Sequence, residues 1–283
     1  MVLIADSGAT KTDWRLLMDD GQVRCASGRG LNPSVLDPES IRKAVGEVIP
    51  ELNPEGRTIH EIHFYGAGLV NDAAAAPLAD ALELWCPFSV MHFHSDMLAA
   101  ARALFGDGSG VVAIMGTGSN SCLYEDGKIV KNIRPGGYVL GDEGSGASLG
   151  KAFLADFIKG LLPEELENDF LREYDLDYQK IVQKVYREPA PSAFMASFAP
   201  FILQRAGDPY VRSLIEDCVG SFVGRSLSRY RPEKDIKAGV VGSFGCALEE
   251  YVREAGRRYG LEFSDFMKSP VERLVIYHSH LNR

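Results

Sequence analysis

The chain contains Asp6-Ser7-Gly8-Ala9-Thr10-Lys11-Thr12-Asp13 near its N-terminus and Gly116-Thr117-Gly118-Ser119-Asn120 about 110 residues later. Each stretch follows one apolar run and precedes another, a pattern that predicts a strand, a turn and a second strand. Because glycine has no Cβ and adopts positive φ, such a turn lets backbone N–H groups approach an anion closely. The two stretches therefore predict one phosphate-binding hairpin that is used in each half of the chain.

The segments around these turns predict an α/β fold in two halves. In the first half the expected strands are 2–7, 13–18, 22–26, 59–65 and 88–94, with helices between the later ones. The pattern of three strands restarts at 111–115, 121–124 and 128–133, and a mostly helical region, a late strand (238–242), a helix (244–259) and a terminal helix follow. We therefore expect mixed sheets in two domains, 1–106 and 107–283, with a cleft between them and the terminal helix 270–282 packed back on the first domain.

Composition excludes several classes of protein. The 283 residues are 46% hydrophobic, as in a globular protein, and the net charge of −9 disfavours a nucleic-acid-binding surface. No apolar run approaches the length of a membrane span, and no signal peptide is expected at the N-terminus. Five cysteines without a C-x-x-C pair argue against a disulfide scaffold, so a cytoplasmic location is the simplest expectation.

The first turn carries candidate ligands of a cation and of phosphate. Asp6 ends a buried strand, where a carboxylate is costly unless it meets a cation or donors, and Thr10 and Lys11 follow within reach of a phosphate. An ordinary hairpin turn is the alternative interpretation, since Asp, Ser and Gly are common in turns. The segment is not a P-loop, because G-x-x-x-x-G-K-[ST] is absent and a strand follows it.

Two polar groups accompany the strand 88–94. Asp96 follows it at the start of a predicted helix, where it suits both an N-cap role and a general base beside an interdomain crevice. His92 and His94 alternate on one face of the strand and are compatible with a metal pair. No third ligand with matching spacing is evident, so we favour a structural role for these two histidines.

Two further glycine-rich segments carry candidate binding residues. The loop from Gly136 to Gly146 holds five glycines and the adjacent carboxylates Asp142 and Glu143, which indicates backbone close to a polar ligand, with a carboxylate contacting hydroxyls or a hydrated metal. Gly242-Ser243-Phe244-Gly245 is a third glycine turn that opens a helix, a place where a nucleotide can bind.

The chain resembles the sugar-kinase and actin-type ATPase superfamily in five segments taken in order: Asp6–Asp13, Asp96, Gly116–Asn120, Gly141–Gly146 and Gly242–Gly245. Within it, the chain is similar to N-acetylglucosamine kinases of the BadF/BadG/BcrA/BcrD ATPase family. The resemblance covers almost the whole chain and implies two ribonuclease-H-like domains that close over ATP and a sugar, with Mg²⁺ bridging the phosphates. It leaves a homodimer open.

The resemblance also implies roles for individual residues. Asp96 is implied as the base that accepts the proton of the sugar 6-hydroxyl, and Asp6 as the residue that holds Mg²⁺ through water. The residues implied to line the nucleotide are Thr10, Lys11, Thr117 and Gly242. The residues implied to hydrogen-bond the sugar are Asn32, Ser119, Asn120, Gly137 and Asp142.

Departures and alternatives accompany this interpretation. Ala9 replaces a glycine that many relatives carry, and Gly242-Ser243 stands where paired glycines are usual. The residues do not distinguish N-acetylglucosamine from glucosamine, N-acetylmannosamine or glucose. Two alternative functions are an ATPase that activates a reductase or dehydratase, which requires cysteines for an iron–sulfur cluster, and a non-catalytic sugar-binding regulator.

Overall fold

The computed structural model describes residues 1–8, 10–33, 35–69, 72–230 and 236–281. Ala9, one of the departures noted above, lies outside these residues. The chain divides into two compact units, which we call the first unit (Met1–Gly108 with Ser269–Arg283) and the second unit (Ser109–Lys268).

The first unit is built on a five-stranded mixed sheet in the order β3-β2-β1-β4-β5. Its strands are β1 (Val2–Ser7), β2 (Lys11–Leu17), β3 (Val23–Arg29), β4 (Ile59–Gly66) and β5 (Phe88–Ser95). The first three strands are antiparallel neighbours, whereas β4 runs parallel to β1 and β5 runs parallel to β4. The carboxyl ends of β1, β4 and β5 therefore lie at one edge of the sheet.

Helices cover both faces of this sheet. They are α1 (Pro38–Leu52), α2 (Asp72–Glu83), α3 (Asp96–Phe105) and the terminal helix, which is numbered α13 in chain order (Val271–Leu281). Alternate residues of the strands point to opposite faces. Leu3, Ile62 and Phe64 belong to the core shared with α1 and α2, whereas Val2, Ile4 and Tyr65 pack with residues of α3 and α13.

The second unit repeats the same sheet topology. Its strands are β6 (Gly110–Met115), β7 (Ser119–Glu125), β8 (Lys128–Ile133), β9 (Ala238–Val241) and β10 (Phe263–Met267). The order is β10-β9-β6-β7-β8, with β6, β7 and β8 antiparallel and with β9 and β10 added in parallel on the other side of β6. The repeat that the sequence indicates over three strands thus extends to five.

Nine α-helices lie between β8 and β10 in the part of the second unit that the structure describes. They are α4 (Gly137–Leu140), α5 (Gly146–Ile158), α6 (Glu164–Glu173), α7 (Tyr178–Tyr186), α8 (Pro191–Ala196), α9 (Ala199–Leu203), α10 (Pro209–Arg225), α11 (Ser243–Ala247) and α12 (Glu249–Arg257), the first being a single turn. One core joins them to the sheet, and it includes the edge-to-face rings of Phe153, Phe170 and Phe201.

The predicted α/β class with two mixed sheets is confirmed, and several local predictions change. The strands expected at 13–18 and 22–26 are observed as β2 (Lys11–Leu17) and β3 (Val23–Arg29). The helix expected at 244–259 is divided, because the buried Leu248 leaves helical geometry at φ −109° and ψ 18°. The edge strand β10 was not predicted, since its polar centre, Ser264-Asp265, hides a strand pattern. The strand expected at 121–124 begins at Ser119, so Ser119 and Asn120 are strand residues.

Two other expectations concern the whole chain. All five cysteines carry free thiols, in agreement with the absence of a disulfide pattern. Among the described residues, no helix has both the length and the apolar composition needed to cross a bilayer.

Candidate active site

Two carboxylates of the first unit meet at the carboxyl edge of its sheet. Asp6 is the penultimate residue of β1, and Asp96 is the first residue of α3, directly after β5. The pKa of Asp6 is raised to about 7, chiefly by burial and further by the neighbouring Asp13 and Asp96 carboxylates. Asp6 is therefore a carboxyl group that a cation would help to keep ionised.

Asp13 differs from Asp6 although the two lie directly opposite each other in the β1–β2 ladder. Lys11 Nζ lies 2.8 Å from its Oδ1, and the Ser27 hydroxyl donates a hydrogen bond to the same oxygen at 2.7 Å. Burial opposes the charge of Asp13, but these donors outweigh it and the pKa of Asp13 is lowered. Asp13 is thus already neutralised by Lys11, whereas Asp6 is not.

Asp96 is held by the start of α3. The N-cap of this helix is Ser95, whose Oγ accepts the Leu98 N–H at 3.2 Å, and the Asp96 Oδ1 accepts the Met97 N–H at 2.8 Å. Burial raises the pKa of Asp96, although the hydrogen bonds from backbone N–H groups oppose the shift. A partly buried, oriented carboxylate of this kind suits a general base.

Buried hydroxyls join the loop of Asn32 to the end of β1. Ser7 Oγ lies 2.8 Å from Thr12 Oγ1 and accepts the Leu31 N–H at 2.8 Å, and Thr12 Oγ1 donates to the Arg29 carbonyl at 2.9 Å. We call Ser7 and Thr12 the hydroxyl pair. It fixes the backbone immediately before Asn32 relative to Asp6, and sequence analysis did not single it out for that role.

The other predicted residues of the first turn are on the surface. Thr10 and Lys11 are exposed, and the Lys11 side chain reaches back to Asp13. The Gly8 N–H donates to the Lys11 carbonyl at 2.9 Å, which closes the turn. An exposed threonine and lysine on a closed turn are accessible to a phosphate.

In the second unit, helix α5 is joined to the turn between β6 and β7. The Gly146 N–H donates to the Gly116 carbonyl at 2.9 Å, and the Ala147 N–H donates to the Thr117 carbonyl at 3.0 Å. Within the turn, the Gly116 N–H donates to the Gly118 carbonyl at 2.9 Å. Since three backbone hydrogen bonds hold it, the turn that presents Thr117 has a defined conformation.

Asp142 lies against this turn. It is buried, it adopts a left-handed backbone conformation at φ 55°, and a Cβ on Gly118 would lie 3.1 Å from its Oδ2. Burial raises the pKa of Asp142, and a hydrogen bond with the backbone of Ser119 opposes the shift. A left-handed non-glycine residue is uncommon, and such residues concentrate at functional sites.

The remaining predicted sugar ligands have different surroundings. The Ser119 hydroxyl is buried and donates a hydrogen bond to the Glu143 carbonyl at 2.7 Å, so it holds the backbone of the loop that contains Asp142 and Glu143. Asn120 Oδ1 accepts the Ser121 N–H and the Asn132 side-chain amide, both at 2.9 Å. Gly137 is exposed at the start of α4. Asp142 and Ser119 thus lie beside the Gly116–Gly118 turn, whereas Gly137 is exposed on the surface of its loop.

Gly242 is a position that excludes a side chain. Its φ is 127°, and a Cβ there would lie 2.1 Å from the Met115 carbonyl oxygen at the end of β6. The close approach brings the start of α11 against the strand that leads into the Gly116 turn. Glycine is therefore required at this predicted nucleotide residue by both conformation and space.

A cavity of about 340 Å³ opens between this turn and α11 within the second unit. Gly116, Thr117 and Gly146 line one side of it, and Ser243, Phe244 and Ala247 line another. Its further walls are apolar and come from α8 and α9, including Ala199 and Leu203. These helical residues were not identified from the sequence, because nothing in their local pattern distinguishes them from core positions.

Comparisons with solved structures give close matches over the whole chain. A candidate N-acetylglucosamine kinase from Porphyromonas gingivalis is 38% identical, with a TM-score of 0.92 and 100% of each chain covered. Another from Chromobacterium violaceum is 22% identical, with a TM-score of 0.76 and 98% of each chain covered. A ROK-family glucokinase from Streptomyces griseus, solved with glucose and AMPPNP, has a TM-score of 0.58 at 15% identity, covering 99% of this chain and 98% of its own.

The last two of these likenesses, being below 25% identity, show the fold alone, which is that of the two-domain sugar kinases. No functionally curated protein matches the sequence. A family profile matches residues 5–225, a span that contains Asp6, Asp96, the Gly116 turn and Asp142. Together with the 38% identity to the P. gingivalis protein, this match shows that the chain belongs to the BadF/BadG/BcrA/BcrD ATPase family.

Proposed function

We propose that the protein is an ATP-dependent sugar kinase that phosphorylates an amino sugar, N-acetylglucosamine, at its 6-hydroxyl. The observation that carries this proposal is the pair Asp6 and Asp96 at the carboxyl edge of one sheet, close enough for the Asp96 carboxylate to raise the pKa of Asp6. Phosphoryl transfer requires a base for the attacking hydroxyl and a cation for the phosphates, and two carboxylates in different surroundings suit these two tasks. The name of the P. gingivalis protein, which is 38% identical, supports the choice of sugar.

Asp96 is the base in this proposal. The Met97 N–H holds one carboxylate oxygen, which orients the group, and burial raises its pKa towards that of a more effective proton acceptor. Asp96 accepts the proton of the sugar 6-hydroxyl as that oxygen bonds to the γ-phosphorus and the bond to the leaving oxygen of ADP breaks. The proton is then held on the Asp96 carboxyl.

Asp6 is the proposed ligand of Mg²⁺ through water. Burial and two neighbouring carboxylates raise its pKa, a cost that a divalent cation would offset, and carboxylate oxygens and water are the ligands that Mg²⁺ prefers. The chain therefore fits this ion. When bound, Mg·ATP supplies the phosphoryl group and neutralises part of its charge.

We assign the nucleotide to Thr10, Lys11, Thr117 and Gly242. Thr10 and Lys11 are exposed on one closed turn, and Thr117 lies on another that is fixed by hydrogen bonds to α5. The apolar cavity beside Gly116 is large enough to receive an adenine ring, and Gly242 lets the start of α11, which lines this cavity, lie against the end of β6. These features fit ATP.

The sugar is assigned to Asn32, Ser119, Asn120, Gly137 and Asp142. Asp142 is the strongest of these, since it is buried, conformationally strained and adjacent to the Gly118 turn. The hydroxyl pair supports Asn32, and the Ser119 hydroxyl supports the Glu143 backbone, so that Ser119 acts mainly by positioning the loop. Matched hydrogen bonds of this kind discriminate strongly against sugars that lack a partner group.

The test is ADP release with Mg·ATP and a panel of hexoses and amino sugars. We expect N-acetylglucosamine to give the highest kcat/KM, and we expect Asp96→Asn to lower kcat by about 10²-fold or more. The exposed Asp80 on α2 provides a matched control, because Asp80→Asn removes the same charge elsewhere. Wild-type activity in Asp96→Asn would refute the assigned base, and no activity on any sugar would refute the kinase.

A further inference from the structure

Four histidines lie together on the α3 and α13 side of the first sheet. We call His63, His92, His94 and His278 the histidine cluster. His63 and His92 are direct partners across β4 and β5, and their rings stack with centroids 4.9 Å apart. The His278 ring, from α13, stacks on His63 at 3.8 Å. Sequence spacing identified only His92 and His94, because parallel pairing and the terminal helix bring in the others.

The two ends of the cluster differ in charge. At one end Tyr65 Oη lies 2.8 Å from His278 Nε2 and accepts a hydrogen bond from Arg102 at 2.7 Å, and Arg102 also lies near His94. At the other end the Glu61 carboxylate contacts His63, with Oε2 and Nε2 3.0 Å apart. A cation is therefore favoured at the Glu61 end and disfavoured beside Arg102.

We propose that Glu61, His63 and His92 form a binding site for a divalent transition-metal cation, with Zn²⁺ as the preferred ion. One carboxylate oxygen of Glu61 and one ring nitrogen of each histidine lie within 4.8 Å of one another. Two histidines and one glutamate form a ligand set known for zinc, in which water completes a tetrahedron. This inference does not rest on the proposed kinase function.

The distances fit an ion after a small movement. Two ligand atoms each about 2.0–2.1 Å from a tetrahedral zinc ion are about 3.3 Å apart, close to the 3.0 Å between Glu61 Oε2 and His63 Nε2. The widest separation, up to 4.8 Å, requires one side chain to move inwards. His92 is exposed and Glu61 is partly exposed, so either side chain can rotate and an ion can enter from solvent.

His63 supplies a second observation. It is buried, and within the described part of the chain its Nδ1 has no hydrogen-bond partner. A fully hydrogen-bonded structural histidine would use both nitrogens, since an unpaired buried polar atom costs roughly 1–3 kcal/mol. With one nitrogen beside Glu61 and no second partner to fix the tautomer, the ring is able to offer a lone pair to an ion.

The experiment uses the full chain after removal of metal with a chelator. Equilibrium dialysis against Zn²⁺ followed by elemental analysis should give about one zinc per chain, and Co²⁺ should give the visible absorption of a tetrahedral nitrogen and oxygen site. Mg²⁺ should not displace either ion, because it prefers oxygen ligands in octahedral geometry. His92→Ala and Glu61→Gln should each weaken the affinity for zinc by about tenfold or more.

A matched control is His60→Ala, which removes a histidine of the same strand that alternates to the other side of the sheet and lies outside the ligand group. Its zinc affinity should equal that of the wild type. Because His92 and Glu61 are at least partly exposed, their variants should keep the wild-type melting temperature without metal. Zinc binding that is absent in the wild type, unchanged in both ligand variants or lost in His60→Ala would overturn the site.

Discussion

Replacing Asp6 with asparagine should stabilise the first unit while it impairs the proposed catalysis. The folded state raises the pKa of Asp6 from 3.8 to about 7. An acidic group with a raised pKa holds its proton more tightly in the folded than in the unfolded chain. Stability from this group is therefore present at low pH and is lost as pH rises from about 4 to about 7.

The size of the effect follows from the same two values. At 1.36 kcal/mol per pH unit, the interval between 3.8 and about 7 corresponds to about 4 kcal/mol at pH 8 as an upper limit, and to about 1.5 kcal/mol at pH 5. Asparagine has nearly the same shape and carries no charge. The Asp6→Asn variant should therefore gain most at pH 8 and progressively less as pH falls.

Tryptophan fluorescence during urea unfolding measures this gain. The chain has two tryptophans, Trp14 and Trp85, and both belong to the first unit, so the signal reports that unit. Asp80→Asn on the surface of α2 is the control for relief of the net charge of −9. A gain no larger than that of the control at pH 8, or equal gains at pH 5 and pH 8, would refute the reasoning about Asp6.

The other predictions concern the hydroxyl pair, Gly242 and the cavity. Ser7→Ala should destabilise the protein by about 1–3 kcal/mol and raise the KM for sugar more than it lowers kcat, because the buried Leu31 N–H loses its partner. Gly242→Ala should destabilise the protein by several kcal/mol, since the new Cβ would lie 2.1 Å from a carbonyl oxygen. Gly220→Ala in α10, where a Cβ would meet nothing within 4 Å, should instead stabilise the protein by up to about 1 kcal/mol. Equal unfolding midpoints for the two variants would contradict both predictions. Ala247→Trp should raise the KM for ATP about tenfold or more by filling the cavity, with the sugar KM unchanged, and Ala76→Trp on α2 should change neither in the ADP-release assay.

Local patterns in the sequence predict much of the fold. A continuous apolar run followed by turn residues identifies β1, and the repetition of the glycine turns indicates the duplication of the sheet. Strand propensity does not identify β10, because this strand forms by pairing with β9, which lies more than 20 residues earlier in the chain. The interruption at Leu248 likewise depends on burial in the tertiary structure, which local pattern does not reveal.

The candidate site divides in the same manner. Asp6, Asp96 and Asp142 are identifiable because a carboxylate at a strand end or among glycines is unusual. The hydroxyl pair and Glu61 are not, because serine, threonine and glutamate are ordinary residues whose roles arise from partners far along the chain. The apolar wall formed by Ala199 is indistinguishable from core until α8 and α9 are placed beside the turn.

The two hydrogen bonds that join α5 to the Gly116-Thr117 turn have a consequence for evolution and engineering. Asp142 precedes the start of α5 by a few residues and also lies against Gly118. The loop that carries Asp142, the Gly116-Thr117 turn and α5 therefore form one rigid structural unit. Substitutions at Asp142 and Thr117 should therefore show epistasis in double-mutant cycles. If Asp142 binds the sugar and Thr117 the nucleotide, as proposed, a change of sugar preference selected through the loop would alter the use of nucleotide as well, and compensating changes would be expected along α5.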